Sequence, residues 1–446
     1  MTSFAEFKTG IVKFLTSSVT PQHAVQYVRE LYLEAGAIEL DHSTPSEWDI
    51  KMDSFYFVKH METSLYAFKT PKNGSPNSRL IAQFSHSDSP NLRVKPVQAS
   101  ASNGYNTLNV DKYGGILWSR FLDTVMGCAG TLYRVVDGKV VPELFKIEDA
   151  AILPSLAIHL ERKPEYDGMN CIPIVSTEAA LKPAEDATDD EKKEYLNGLV
   201  LELLKKEGID TENVVEIDAH LYSQAPTKVL RFDDIITSPR LDDLCCAYGG
   251  IIGLIDTENS ERDFHMMAMC DHEEIGNRTL QGAFSRFVPM LFEVLSTSVG
   301  ANTMQFCGSS LLLSADVSHA IHPGFASKSD SKNCQAFGKG GPVIKRSFNM
   351  RNGTTPMTIA LVKHAVDVYN ETVEDKLDNM HTYMASNASP GGSTMGPFLG
   401  GLTGVPTIDY GVYLLSMHSS NETGHVRDMY DLYKFYQAVV RFLPRN

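Results

Sequence analysis

The sequence predicts an α/β fold, with a mostly parallel central sheet flanked by helices and a β-rich domain inserted into the chain. Two observations indicate this class. Short apolar runs bounded by polar residues recur along the chain, and helical patterns lie among them. A third observation, the long stretch between the first such run and the next, indicates the insertion. Alternating strands and helices are typical of sheets whose parallel strands are joined by crossovers.

The individual elements follow from the period of the apolar residues. The predicted strands are rich in aliphatic and aromatic residues and end in polar segments; they cover 79–84, 264–269, 311–314 and 405–410. The predicted helices show apolar residues at helical spacing; they cover 242–255, 356–369 and 430–442.

The length of 446 residues indicates two domains. The stretch between His86 and Asp242 is far longer than a parallel crossover needs, so we predict an inserted domain over 97–230. The main domain then combines 1–96 and 231–446. Within the insert, Asp137-Gly138 separates two β-rich runs and predicts a hairpin, and the leucines between Tyr195 and Leu204 predict a partly exposed helix.

Side chains that bind metals stand where the apolar runs give way to polar residues. Five of them follow predicted strands, namely His86, Glu273, Glu274, Asp316 and His418. The sixth, Asp242, begins a predicted helix. In open α/β sheets, ligands bind beyond the carboxyl ends of the strands. Residues of these types can hold two divalent cations and leave one carboxylate free to move a proton.

Two details refine this hypothesis. Asp88 lies two residues after His86 and is the candidate to accept the second ring N–H of that histidine. Glu273 and Glu274 are adjacent and point in different directions, so one can bind metal while the other acts as a general base.

Each residue also has an ordinary structural interpretation. A single histidine after a strand is usually hydrogen bonded in the core or on the surface, paired glutamates are common on solvated faces, and Asp242 with Asp243 fits a helix N-cap. The pattern alone leaves both interpretations open.

The segments that carry these residues resemble the M18 family of metallo-aminopeptidases, the aspartyl aminopeptidases. The resemblance rests on Phe84–Pro90, Pro239–Asp243, Glu273–Gly276, Ser314–Asp316 with His319 and His322-Pro323, and Leu415–Ser419. It implies a zinc-exopeptidase-like catalytic domain with two zinc ions bridged by Asp242. His86 and Asp316 would complete one zinc site, and Glu274 and His418 the other. Glu273 would act as the general base on a metal-bridging water.

The same resemblance implies how peptides with an acidic N-terminal residue are bound. Lys345 would bind the acidic side chain, whereas the alternative is a surface lysine that extends toward solvent. Met417 and the turn 389–394, which contains Gly392, would form pocket walls, although these glycines suit turn geometry alone. His159 would be donated to the active site of a neighbouring subunit; its alternative is a histidine buried in a strand-like run.

The resemblance further implies that the insert forms dimers within a tetrahedral dodecamer. Two other functions use the same sequence features: a co-catalytic zinc deacylase or carboxypeptidase, and a non-catalytic oligomeric shell protein. Cobalt or manganese would also suit a carboxylate-rich site. Residues 346–352 depart from the Gln-Arg-Tyr pattern of the family's aspartyl-specific members. His272 and Gly391 stand where the family often has Asn and Cys.

Composition predicts a cytoplasmic protein without nucleic-acid or membrane partners. The net charge is −15 and no basic stripe offsets it, which disfavours nucleic acid. No apolar run approaches the length of a membrane helix, and the N-terminal residues lack signal-peptide character. The seven cysteines show no C-x-x-C spacing. Glycans on the triplets that begin at Asn277 and Asn387 would crowd the proposed site.

Overall fold

The structure is a computed structural model that describes residues 1–184, 186–348, 351–377, 379–387 and 391–445. Its contacts divide the chain into two compact units. The first unit comprises Met1–Asp88, Thr227–Met417 and the chain from Glu422 onward. The second comprises Ser89–Pro226 together with His418–Asn421. The inserted domain that the sequence predicts over 97–230 overlaps the first of these two segments.

The helices in chain order are α1 (Phe4–Ser17), α2 (Pro21–Glu34), α3 (Asp189–Asn197), α4 (Leu199–Lys206), α5 (Leu241–Asp256), α6 (Phe287–Ser298), α7 (Thr303–Ser309), α8 (Pro356–Thr372), α9 (Gly396–Thr403) and α10 (Val426–Phe442). The first strands are β1 (Ile38–Leu40), β2 (Phe55–His60), β3 (Ser64–Lys69), β4 (Leu80–His86), β5 (Asn91–Ser102), β6 (Tyr105–Tyr113), β7 (Val125–Val136), β8 (Lys139–Ile152), β9 (Ile174–Thr177) and β10 (Val214–Ser223). The remaining strands are β11 (Lys228–Val229), β12 (Ile235–Ser238), β13 (Phe264–Cys270), β14 (Leu311–Ala315), β15 (Ser318–His319), β16 (Val343–Lys345), β17 (His381–Tyr383), β18 (Thr407–Gly411), β19 (Tyr413–Leu414) and β20 (Glu422–His425).

The first unit is built on a central sheet that, within the described residues, has nine strands in the order β1-β2-β3-β13-β4-β14-β18-β16-β17. The strands β13, β4, β14 and β18 are mutually parallel. In their register Cys270 pairs with His86, and Ala315 pairs with Tyr410. The carboxyl ends of these strands therefore meet at one edge of the sheet, and the predicted mostly parallel α/β fold is confirmed.

Helices cover both faces of this sheet, because its central strands are apolar on both sides. In β4, Ile81 belongs to one core cluster, while its neighbours Ala82 and Phe84 belong to the other. The first cluster contains buried residues of α1, α2, α5, α8 and α10, and the second contains those of α6, α7 and α9.

Several predicted boundaries in this unit differ from the structure, and two of these differences have a clear physical reason. The strand predicted from residue 405 begins at Thr407, since Pro406 has no N–H to give to a sheet ladder. The helix predicted from residue 430 begins at Val426. Its extra turn carries the buried Asp428, whose carboxylate accepts the N–H groups of Gly338 and Gly340.

The second unit contains a closed sheet in the order β10-β5-β6-β9-β8-β7. The predicted hairpin is present as β7 and β8, in which Val136 pairs with Lys139. Asp137 and Gly138 close it with φ values of 49° and 75°, as a two-residue turn between twisted strands requires. The predicted helix is divided into α3 and α4 at Gly198, which is not helical (φ −106°, ψ 21°).

In the described part of the chain, no helix has both the length and the apolar character required to cross a bilayer.

Candidate metal centre

His86 lies at the carboxyl end of β4 and is buried. Its Nδ1 is 2.9 Å from the backbone carbonyl oxygen of Asp88 and 3.4 Å from Asp88 Oδ1. Because a carbonyl oxygen can only accept, Nδ1 carries the proton, and Nε2 is oriented toward Asp242, 3.2 Å away. Asp88 thus contacts the ring through its backbone carbonyl, which is nearer to Nδ1 than its carboxylate is.

The carboxylate of Asp88 has a second contact that the sequence does not indicate. Its two oxygens accept the backbone N–H groups of Glu273 and Glu274, each at 3.1 Å. Asp88 is fully buried, and one side chain thus fixes the backbone of both glutamates relative to His86.

Asp242 and Asp243 begin α5 with non-helical backbone angles. The N–H of Asp242 donates to Glu422 Oε2 at 2.9 Å, and Asp243 Oδ2 accepts the N–H of His86 at 3.2 Å. All three carboxylates are buried. Burial raises the pKa of Asp243 well above its usual value, and the charges of Asp242 and Asp316 add to the effect, while His86 opposes it.

Among the described residues, two groups of metal-binding side chains have ligand atoms within 4.8 Å of one another: His86, Asp242 and Glu274, and Asp242, Asp243 and Asp316. Asp242 belongs to both groups. His86 Nε2 is also 3.9 Å from Asp316 Oδ1, so the two groups are continuous. One imidazole and several buried carboxylates form a donor set that suits zinc and also accepts cobalt or manganese.

The pKa of His86 reflects this surrounding negative charge. Burial disfavours the imidazolium, but the hydrogen bonds to Asp242 and Asp88 and the charge of Asp243 outweigh it, and the pKa is raised well above the usual value. A divalent metal ion bound here would offset this negative charge in place of the ring proton.

Glu273 is half-buried and belongs to neither group of metal-binding residues. Burial raises the pKa of its carboxyl group well above the usual value; His86 opposes the shift, and Asp316, Glu274 and Asp88 add to it. A carboxyl group with a raised pKa, held beside metal ligands, can take up and release a proton.

Lys345 ends β16 and its ammonium lies 3.1 Å from Asp316 Oδ2. The side chain is only 8% exposed, so the alternative of a surface lysine is wrong. Burial disfavours the charged form, but Asp316 outweighs it and raises the pKa of Lys345.

The other predicted substrate-binding residues differ in how far they are exposed to solvent. Met417 is half-buried and Gly392 is exposed; Ser389 and Pro390 of the same predicted turn lie outside the described residues. His159 is exposed in a turn of the second unit, so the strand-like run and the buried-histidine alternative are both wrong. Pro154 precedes it, and a proline disfavours continuation of a strand.

His418, the remaining predicted ligand, belongs to the second unit. Its Nδ1 is 2.9 Å from the carbonyl oxygen of Gly115, and its backbone adopts a φ of 61°. Because a carbonyl oxygen only accepts, Nδ1 of His418 carries a proton.

Three residues at the site were not selected from the sequence: Asp243, Glu422 and Asn277. The sequence indicates Asp243 only as the neighbour of Asp242, and Asn277 only as the first residue of an N-x-T triplet. Glu422 reaches Asp242 across 180 residues of chain, and no local pattern indicates such a contact.

A cluster of imidazole and carboxylate ligands at the carboxyl edge of a mostly parallel sheet defines a metal-dependent hydrolase of the α/β class. The family model described as Aminopeptidase I zinc metalloprotease (M18) matches residues 14–440. The chain therefore belongs to the M18 family and is a metallo-aminopeptidase, and the resemblance seen in the sequence is confirmed.

Individual relatives agree with this assignment. Aspartyl aminopeptidase of Aspergillus oryzae is 31% identical over 94% of this chain and 92% of its own. Aspartyl aminopeptidase 4 of Saccharomyces cerevisiae is 32% identical over 95% and 92%. Among solved structures, the Ape4 and Nbr1 complex aligns with a TM-score of 0.90 at 28% identity, covering 98% of this chain and 85% of that one.

Proposed function

We propose that this metallo-aminopeptidase binds two zinc ions per subunit and removes an N-terminal Asp or Glu from peptides. The observation that supports two ions is the position of Asp242, which belongs to both groups of metal-binding residues. A carboxylate has two oxygens and can serve one ion with each, so a shared aspartate fits a pair of ions better than a single one.

In this proposal Asp242 would contribute to holding both ions, and His86, Asp316, Glu274 and His418 would supply the other ligands. His86 lies in one group with Asp242 and Glu274, and its Nε2 is 3.9 Å from Asp316 Oδ1, so His86 could share an ion with either Glu274 or Asp316. Bound divalent ions would polarise the peptide carbonyl group and lower the pKa of a water molecule.

Glu273 is the proposed general base. It takes the proton from the attacking water and delivers it to the leaving amine of the shortened peptide. Its position outside both ligand groups supports this role, as do the hydrogen bonds by which Asp88 holds the backbone of Glu273 and Glu274.

A panel of peptides tests the proposal. We expect the zinc-loaded protein to release the first residue from peptides with a free N-terminal Asp or Glu, and to leave N-acetylated versions of the same peptides intact. Free amino acids can be measured by chromatography. Cleavage confined to blocked peptides would instead indicate the deacylase or carboxypeptidase alternative.

Lys345 is the proposed ligand of the acidic side chain. Its buried ammonium faces Asp316, and a substrate carboxylate would add a second charge-assisted bond. The relatives named aspartyl aminopeptidase support the acidic preference. Met417 and Gly392 would line the pocket.

The variant Lys345→Met should lower kcat/KM for an N-terminal Asp peptide by about 10- to 100-fold, because a charged hydrogen bond is lost. The loss for an N-terminal Ala peptide should be smaller. Both constants can be measured on the same preparations, with exposed Lys339→Met as the control. An equal loss for the two peptides would show that Lys345 supports the site without selecting the substrate.

Assembly into a tetrahedral dodecamer built from dimers is also proposed, with the inserted segment as the dimerisation domain and His159 donated to a neighbouring subunit. A solved structure of a different Saccharomyces cerevisiae protein, mApe1, which aligns with a TM-score of 0.83 at 24% identity, is described as a dodecamer. In this chain Ile158 and Leu160, on either side of His159, are 66% and 75% exposed. Large exposed apolar side chains in one segment are typical of an interface between proteins.

We further propose that the protein is located in the cytoplasm. All seven cysteines are free thiols and most of them are buried, which suits a reducing compartment.

A further inference from the structure

Asn277 lies in the turn that follows the two glutamates, and the sequence indicates it only as the first residue of an N-x-T triplet. In the structure its side chain is not available for a glycan, because the residue is 1% exposed. Its Nδ2 is instead 3.3 Å from Oε1 of Glu273. Thus a buried amide donates a hydrogen bond to the proposed general base.

The backbone of Asn277 is fixed on both sides. Its N–H donates to the carbonyl of His272 at 2.8 Å, and its own carbonyl accepts the N–H of Phe284 at 3.2 Å. Gly282 packs against that carbonyl so closely that an added Cβ would lie 2.1 Å from it. His272 is itself attached to Thr279, through Nδ1 and Oγ1 at 2.8 Å. The amide of Asn277 therefore projects from a rigid turn.

The residue type suits both requirements of this position. Asn277 has a φ of 64°, in the left-handed region that asparagine adopts more readily than most residues. The amide then offers an N–H to a carboxylate acceptor, whereas the opposite orientation would place two oxygens against each other.

In this orientation the amide of Asn277 donates to Glu273 but, within the described part of the chain, leaves its own oxygen without a donor. Among the described residues, no donor reaches the buried Oδ1 of Asn277. A buried carbonyl oxygen without a donor is destabilising. The bond to Glu273 is the one side-chain hydrogen bond that this orientation secures among the contacts described.

We propose that Asn277 is a positioning residue that holds the carboxylate of Glu273 in the orientation required for proton transfer. The inference rests on the proposed role of Glu273 as the base. Glu273 is half-buried, and its side chain has three rotatable bonds. Without the amide, the carboxylate would sample orientations in which neither oxygen faces the attacking water, and kcat would fall while substrate binding would not.

The test uses the zinc-loaded full chain and an N-terminal Asp peptide, with two substitutions at this site. Asn277→Gly tolerates the positive φ and removes the donor. Asn277→Asp keeps the shape and replaces the donor with a second carboxylate. We expect each to lower kcat by about 10- to 100-fold and to change KM by less than about threefold. Zinc content should not change.

Asn103→Gly is the matched control, because Asn103 is an exposed asparagine with a φ of 54° in a hairpin turn; its kcat should equal that of the wild type. A second measurement separates positioning from folding. In a Glu273→Asp background, whose shorter carboxylate withdraws from the amide, adding Asn277→Gly should cost less than about threefold in kcat.

Wild-type kcat in both Asn277 variants would overturn the inference, and so would a loss of zinc that parallels the loss of kcat. If Glu273→Gln retained turnover, the proposed base itself would be wrong. If Glu273→Gln were inactive while the Asn277 variants were fully active, only the positioning role would fail.

Discussion

Replacement of Glu273 by Gln is expected to abolish peptide turnover, with kcat lowered by at least about 10³-fold, as is typical for loss of a general base. Glutamine keeps the length and shape of the side chain but cannot accept a proton from water. The hydrogen bonds from the backbone of Glu273 and Glu274 to Asp88 do not involve the substituted group. The local structure should therefore persist.

Metal content distinguishes this loss from damage to the ligand cluster. Because Glu273 lies outside both groups of metal-binding residues, Glu273→Gln should retain the zinc of the wild type when measured by elemental analysis. Glu258→Gln on the same unit is a control for the substitution itself. A Glu273→Gln enzyme with ordinary kcat would exclude Glu273 as the base, and one that had lost zinc would make Glu273 a ligand.

The positions of the candidate ligands at the ends of strands could be predicted because these positions depend on local patterns. His86 and Asp316 each follow a short apolar strand, and the parallel register of β4 and β14 brings the ends of these strands to the same edge. Strand period and polar termini are properties of a few consecutive residues, so the sequence shows them directly.

The supporting contacts could not be predicted, because they join distant residues through the backbone. Asp88 accepts two N–H groups from Glu273 and Glu274, and Glu422 accepts that of Asp242. Nearly every residue carries a main-chain N–H donor, so the sequence does not show which of these donors will bind a distant carboxylate. The strand-like run around His159 is a wrong prediction, because Ile158 and Leu160 are apolar, as in a strand, but are exposed in the structure.

Replacement of Asp242 by Ala is expected to remove both of the proposed zinc ions and to lower kcat by at least about 10³-fold. Asp242 is the residue shared by the two ligand groups, whereas Glu274 and Asp316 each belong to one of them. Glu274→Ala should therefore lose about one ion of the two, and Asp242→Ala about both. Elemental analysis after dialysis against a weak chelator measures the difference, with Asp189→Ala, in the exposed first turn of α3, as the control.

Thermal unfolding provides a second, independent measurement of the same claim. In the metal-free protein Asp242 lies among Asp243, Asp316 and Glu274, and its removal relieves repulsion between like charges, at the cost of its 3.2 Å contact with His86. Added zinc raises the Tm of the wild type, because a ligand that binds only the folded state stabilises it. Asp242→Ala should show little of this increase, since neither ion is retained. An increase equal to that of Glu274→Ala would mean that Asp242 serves one ion, and the shared-aspartate proposal would be wrong.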